Sequence, residues 1–103
     1  MAHWVRIASV DDFRESAARE IVVEGQIIAL FCVEGQFYAL DGICPHQGGP
    51  LAQGSLTGCV VTCPWHGWQY DVRTGQHQSI RALVHRCFPL KVENGEIYAD
   101  LEA

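Results

Sequence analysis

Short runs of apolar and β-branched residues alternate with turn pairs along the whole chain. Glu24-Gly25, Glu34-Gly35, Asp41-Gly42, Thr74-Gly75 and Asn94-Gly95 each interrupt such a run, a rhythm that predicts an all-β domain. Residues 20–23, 26–33 and 36–40, rich in Ile, Val, Phe and Tyr, read as a three-stranded meander. Residues 10–18 hold the one candidate helical turn, which is too short and irregular for a full helix. Near the C-terminus, Phe88-Pro89-Leu90-Lys91-Val92-Glu93 and Glu96-Ile97-Tyr98-Ala99-Asp100-Leu101 flank Asn94-Gly95, the preferred pair for a type I′ turn. A two-residue loop there sets Val92 opposite Ile97, Leu90 opposite Ala99 and Phe88 opposite Leu101. These three pairs are expected on the buried face, with Lys91 and Tyr98 paired on the other.

Residues 42–75 break this pattern. They gather seven Gly, three Pro, three of the five Cys and two His, and only residues 59–62 look like a strand. Loops on a β scaffold are where function concentrates. The length of 103 residues fits one domain, 1–103, and 49% hydrophobic residues give it a modest core that a metal site would reinforce. A net charge of −5 disfavours nucleic acid and anionic membrane as partners; it fits a partner with a basic patch, and equally an acidic surface that serves solubility alone. The start, Met1-Ala2-His3-Trp4-Val5-Arg6, has no basic stretch followed by a long apolar run. No segment approaches the ~20 apolar residues of a membrane helix, so a soluble, cytoplasmic protein is expected. In such a setting five cysteines point to metal ligands and buried thiols rather than to a disulfide framework.

Two motifs carry the chemistry: Cys44-Pro45-His46, then sixteen residues, then Cys63-Pro64-Trp65-His66. Each supplies one thiolate and one imidazole. A tetrahedral zinc ion could use the same four donors, but zinc sites of this composition pair Cys with Cys and His with His at wider spacing. Both cysteines precede Pro and both histidines stand close to Gly, which lets backbone N–H groups approach sulfur. That arrangement suits a cluster whose inorganic sulfides accept hydrogen bonds.

At these residues the chain resembles the Rieske [2Fe–2S] family, whose signature of Cys-x-His, about sixteen residues and Cys-x-x-His is matched in full. The resemblance runs over nearly the whole chain. It implies a sandwich of three antiparallel sheets with one cluster per chain at a loop-built tip, Cys44 and Cys63 on one iron and His46 and His66 on the other. Two neutral imidazoles in place of two thiolates raise the potential above that of four-Cys clusters. The resemblance also implies that the aromatic at Tyr70 lies beside the cluster and donates to a ligand sulfur; a plain core tyrosine is the competing reading. Trp65 is expected to shield the cluster, with core packing as the alternative.

The respiratory branch of the family ties its two loops by a disulfide at the positions of Gly49 and Trp65, and places a Ser where this chain has Trp68. Neither feature exists here, so a low potential is expected. Many relatives have a Pro-containing cover loop after the second motif. Residues 76–83 contain no Pro, and Ile80 and Leu83 are the expected cover. Cys32, Cys59 and Cys87 read as buried free thiols, His77 and His85 as surface or packing residues, and His3 as an ordinary terminal residue.

The resemblance implies a ferredoxin that takes single electrons from a flavin-dependent ferredoxin reductase and passes them to a terminal Rieske oxygenase. It would be an electron carrier, not an enzyme. An oxygenase would need a second iron site of two His and one carboxylate, and His3, His77 and His85 have no suitable spacing. The small Rieske subunit of an assimilatory nitrite reductase is the alternative.

Overall fold

The computed structural model describes residues 2–13, 17–45, 48–65 and 67–102. Its strands are β1 (Trp4–Ser9), β2 (Ala18–Val23), β3 (Gln26–Val33), β4 (Gln36–Asp41), β5 (Ser55–Thr57), β6 (Val60–Thr62), β7 (Gln69–Asp71), β8 (Cys87–Phe88), β9 (Leu90–Glu93) and β10 (Glu96–Asp100). They form three antiparallel sheets, ordered β1-β10-β9, β2-β3-β4-β8 and β5-β6-β7. The expected all-β class and three-sheet sandwich are borne out. The helical turn expected at 10–18 is a single 3-10 turn, Val10–Phe13; residues 14–16 lie outside the described residues, and β2 already begins at Ala18.

Three of the turn pairs close tight hairpins. Glu24-Gly25, Glu34-Gly35 and Asn94-Gly95 all have positive φ at both residues, from 48° to 80°. This is the type I′ geometry that follows the strand twist, and it aligns Val23 with Gln26, Val33 with Gln36 and Glu93 with Glu96. The register of β9 and β10 is the one the sequence predicts: Val92 opposite Ile97, Lys91 opposite Tyr98, Leu90 opposite Ala99.

Two expectations about this hairpin need correction. Phe88 does not face Leu101: Pro89 interrupts the strand, and Phe88 pairs with Ala39 in the central sheet. Phe88 and Leu101 still meet within one apolar cluster. Val92 is 48% exposed although Ile97 opposite it is buried, because β9 is the edge strand of its sheet and β10 the middle one.

The central sheet is buried on both faces, and β3 shows why. Ile28 and Leu30 enter a cluster with Ile7, Ala39, Phe88, Ile97, Ala99 and Leu101. Ala29 and Phe31 point the other way, into a cluster with Leu40, Cys44, Leu51, Val61, Cys63, Tyr70 and Val72. Side chains of a strand alternate faces, so a run with apolar residues at every position must be a middle layer. The second cluster seats both motif cysteines on the small β5-β6-β7 sheet. Two of that sheet's strands, β5 and β7, lie in the stretch that shows little strand pattern in the sequence.

Candidate metal centre

Each motif begins a short loop closed by the N–H of its own cysteine. Cys44 donates to the Gly49 carbonyl at 2.9 Å, and Gly48 donates back to the Cys44 carbonyl at 2.9 Å. The chain enters this loop through a turn in which Ile43 N–H donates to Asp41 Oδ1 at 3.0 Å. Cys63 donates to the Trp68 carbonyl at 2.7 Å, which closes the second loop. His46 and His66 belong to these loops in sequence and lie outside the described residues. The two cysteines are 1% exposed each and share one cluster. Burial pushes the Cys63 thiol up, the Trp65 N–H acts against this, and neighbouring Cys44 adds to the rise. Two thiols from loops nineteen residues apart, 44 and 63, are thus brought together. Among the described residues no third histidine, cysteine or carboxylate joins them to form a metal-binding group.

Gly49 explains part of the closeness. A Cβ at Gly49 would stand 2.6 Å from Cys63 Sγ and 3.1 Å from Trp65 Cβ and Cγ. The first loop is therefore pressed against the second where a side chain would separate them. Positions 49 and 65, a disulfide pair in the respiratory branch, are in direct apposition in this chain without one.

Tyr70, central in β7, is fully buried, and its hydroxyl lies 3.4 Å from Cys44 Sγ. Burial raises the phenol well above its ordinary range, with Cys44 adding to the effect, so the proton stays on oxygen. Once Cys44 is a thiolate, the phenol is the donor. Tyr70 is thus a core residue, and its hydroxyl also lies at the Cys44 sulfur, so the two readings do not exclude each other.

Trp65 is 51% exposed, which overturns the core-packing alternative for it. Ile80 is 43% exposed, while Leu83 is half-buried and packs on the cysteine cluster, so of the two expected cover residues Leu83 is the inner one. His77 and His85 are not surface residues; both are buried, flanking Tyr70 at ring distances of 5.2 and 5.3 Å. His85 Nε2 is held 2.8 Å from the Asp41 carbonyl oxygen. Cys32, Cys59 and Cys87 are free and partly buried.

The donor set fits an iron–sulfur cluster. Two buried thiols converge from separate loops, a phenol donor stands at one sulfur, and a side-chain-free cradle lies at the other.

Residues 3–98 match the model of the Rieske [2Fe-2S] domain, and the chain belongs to that family. Membership brings one [2Fe–2S] cluster per chain. The chain is 37% identical to the ferredoxin component of the p-cumate 2,3-dioxygenase system of Pseudomonas putida, over 96% of this chain and 86% of the relative. It is 32% identical to the ferredoxin component of the naphthalene 1,2-dioxygenase system of the same species, over 95% of each. Among solved structures, the complex of reduced oxygenase and oxidized ferredoxin in carbazole 1,9a-dioxygenase contains a similar chain. The match has a TM-score of 0.85 and 30% identity, and covers 94% of this chain and 92% of that one.

Proposed function

We propose that this chain is the ferredoxin component of an oxygenase system, a single domain over 1–103 with its cluster loops at about 42–75. Cys44 and Cys63 hold one iron of the cluster and His46 and His66 the other. Electrons arrive one at a time from a flavin-dependent reductase and leave to a terminal oxygenase, in the cytoplasm. The observation that carries this reading is the Tyr70 hydroxyl at Cys44 Sγ, with Cys44 and Cys63 buried together. Relatives named as ferredoxin components over nearly their full length support the carrier role. No helix among the described residues is long and apolar enough to cross a membrane. No observation favours the nitrite reductase subunit.

When bound, the cluster supplies a one-electron couple between its oxidised and reduced forms. The protein's own residues set the conditions. The Cys44 and Cys63 loops close on backbone bonds and fix the sulfurs, Tyr70 donates to Cys44, and burial keeps water from both thiolates.

Electron paramagnetic resonance of the dithionite-reduced protein, with iron and zinc analysis, is the direct test. A Rieske signal with two irons per chain supports the assignment; zinc, or no signal, overturns it. His46→Cys and His66→Cys should each alter that signal, because a charged thiolate replaces a neutral ligand. Unchanged spectra would remove these two residues from the ligand set.

A further inference from the structure

The Pro-free segment 76–83 is braced by two adjacent side chains. Gln76 Nε2 lies 3.1 to 3.3 Å from the carbonyl oxygens of His77, Ile80, Arg81 and Leu83. His77 Nδ1 accepts the N–H groups of Ser79 at 3.0 Å and Ile80 at 2.9 Å. A ring nitrogen that accepts N–H bonds carries no proton, so the His77 proton sits on Nε2. That Nε2 is buried and has no hydrogen-bond partner among the described residues. An unpaired buried donor is unfavourable, so its own hydrogen bonding does not explain why this edge of the ring is buried.

The ring contacts supply a reason. His77 stands perpendicular, at 87°, to both Trp68 and Tyr70, with centroids 4.8 and 5.2 Å away. The Trp68 carbonyl holds the Cys63 N–H, and the Tyr70 hydroxyl lies at Cys44 Sγ. The His77 ring therefore packs on the ring that carries the hydroxyl at Cys44, and on the indole of the residue whose backbone carbonyl holds Cys63. His77 N–H also donates to the Leu83 carbonyl at 3.0 Å, and Gln78 N–H to that of Gln69 at 2.9 Å, which fixes the segment against β7.

We propose that His77 is a positioning residue for the cluster. Its Nδ1 is fastened to the 76–83 segment, and its ring is a wedge that keeps the Tyr70 hydroxyl on the Cys44 sulfur. This rests on the cluster assignment above. Hydrogen bonds to sulfur favour the reduced, more negative form, so a displaced hydroxyl lowers the midpoint potential. His77 thus tunes the potential through Tyr70.

The experiment measures the midpoint of the iron-loaded protein for wild type, Tyr70→Phe, His77→Asn, His77→Phe and the Tyr70→Phe/His77→Asn pair. Asn offers the segment an acceptor without a ring; Phe offers a ring without an acceptor. Tyr70→Phe and His77→Asn should each shift the one-electron equilibrium about threefold toward the oxidised form, roughly 28 mV at ~59 mV per decade. The pair should lie within about 1.5-fold of Tyr70→Phe alone, since both changes remove the same bond, and His77→Phe within about 1.5-fold of wild type. Additive shifts in the pair, a wild-type potential in His77→Asn, or a His77→Phe potential as low as that of His77→Asn would each overturn the proposal. Should His77→Asn not retain the cluster, His77→Phe decides. A wild-type potential supports the wedge, and a threefold fall refutes it. A wild-type protein without a Rieske signal would fail at the earlier assignment, before any variant is compared, and would take this inference with it.

Discussion

Gly49 lies against Cys63 so closely that a methyl group on Gly49 would stand 2.6 Å from the Cys63 sulfur. The contact joins the first motif loop to the second, and its requirement is space alone. Gly49→Ala should force one loop away from the other, at the ~1–3 kcal/mol typical of overpacking. Iron content should fall below that of wild type, and the remaining cluster should be lost faster on standing. The comparison is Gly25→Ala, at a turn with φ of +77° and no atom near the added methyl. It should lower thermal stability and leave the cluster in place. Equal iron retention in both variants would show that the Gly49 contact is not needed.

The wild-type midpoint should lie near the low end of the Rieske range, about −150 mV rather than about +300 mV. The positions of the respiratory disulfide are Gly49 and Trp65, which touch but cannot bond, and the position of the respiratory Ser is Trp68. The Tyr70 donor remains, so one of the hydrogen bonds that favour reduction is kept. Redox titration of the iron-loaded protein measures this. A midpoint above roughly +100 mV would contradict the expectation.

Asp71 gives a pH-dependent contribution to the sheet that carries Tyr70. Its carboxylate accepts Arg73 Nη2 at 2.8 Å, Nε at 3.1 Å and the Arg73 N–H at 2.8 Å. The Arg73 side chain, chiefly, holds the Asp71 carboxyl below its ordinary value of 3.8, with burial opposing and the Arg73 N–H assisting. A carboxylate stabilised in the folded state contributes fully above its unfolded value, and that contribution is lost as the pH falls through the folded value. Asp71→Asn should therefore show a small loss of thermal stability near neutral pH. The gap to wild type should close in acid, below 3.8. Melting curves across that range test it, and a constant gap would exclude the ion pair as its source.

Electron transfer should slow as salt rises if the net charge of −5 steers docking onto a basic partner. Stopped-flow transfer rates to an oxygenase at low and high ionic strength are the measure. A flat salt dependence would remove electrostatic steering.

Much of this was legible from local pattern. The Glu-Gly and Asn-Gly turns and the uninterrupted apolar run of β3 fixed a central meander, because turn chemistry and side-chain period are local properties. The two Cys/His motifs marked the candidate ligands by residue type and spacing alone. Other features depended on partners distant in sequence. Strands β5 and β7 have three residues each and gain their identity by pairing with β6. Phe88 left the C-terminal hairpin for the central sheet because Pro89 has no N–H to continue the ladder. His77 and His85 carry no periodic signal, and only the packing around Tyr70 shows them to be buried. The sequence by itself determined the fold class and the chemistry on offer, through turns, alternation and donor spacing. Which groups stand at each sulfur, from the glycine cradle at Cys63 to the phenol at Cys44, was decided only by the tertiary structure, since loop-to-sheet contacts join residues that no local rule relates.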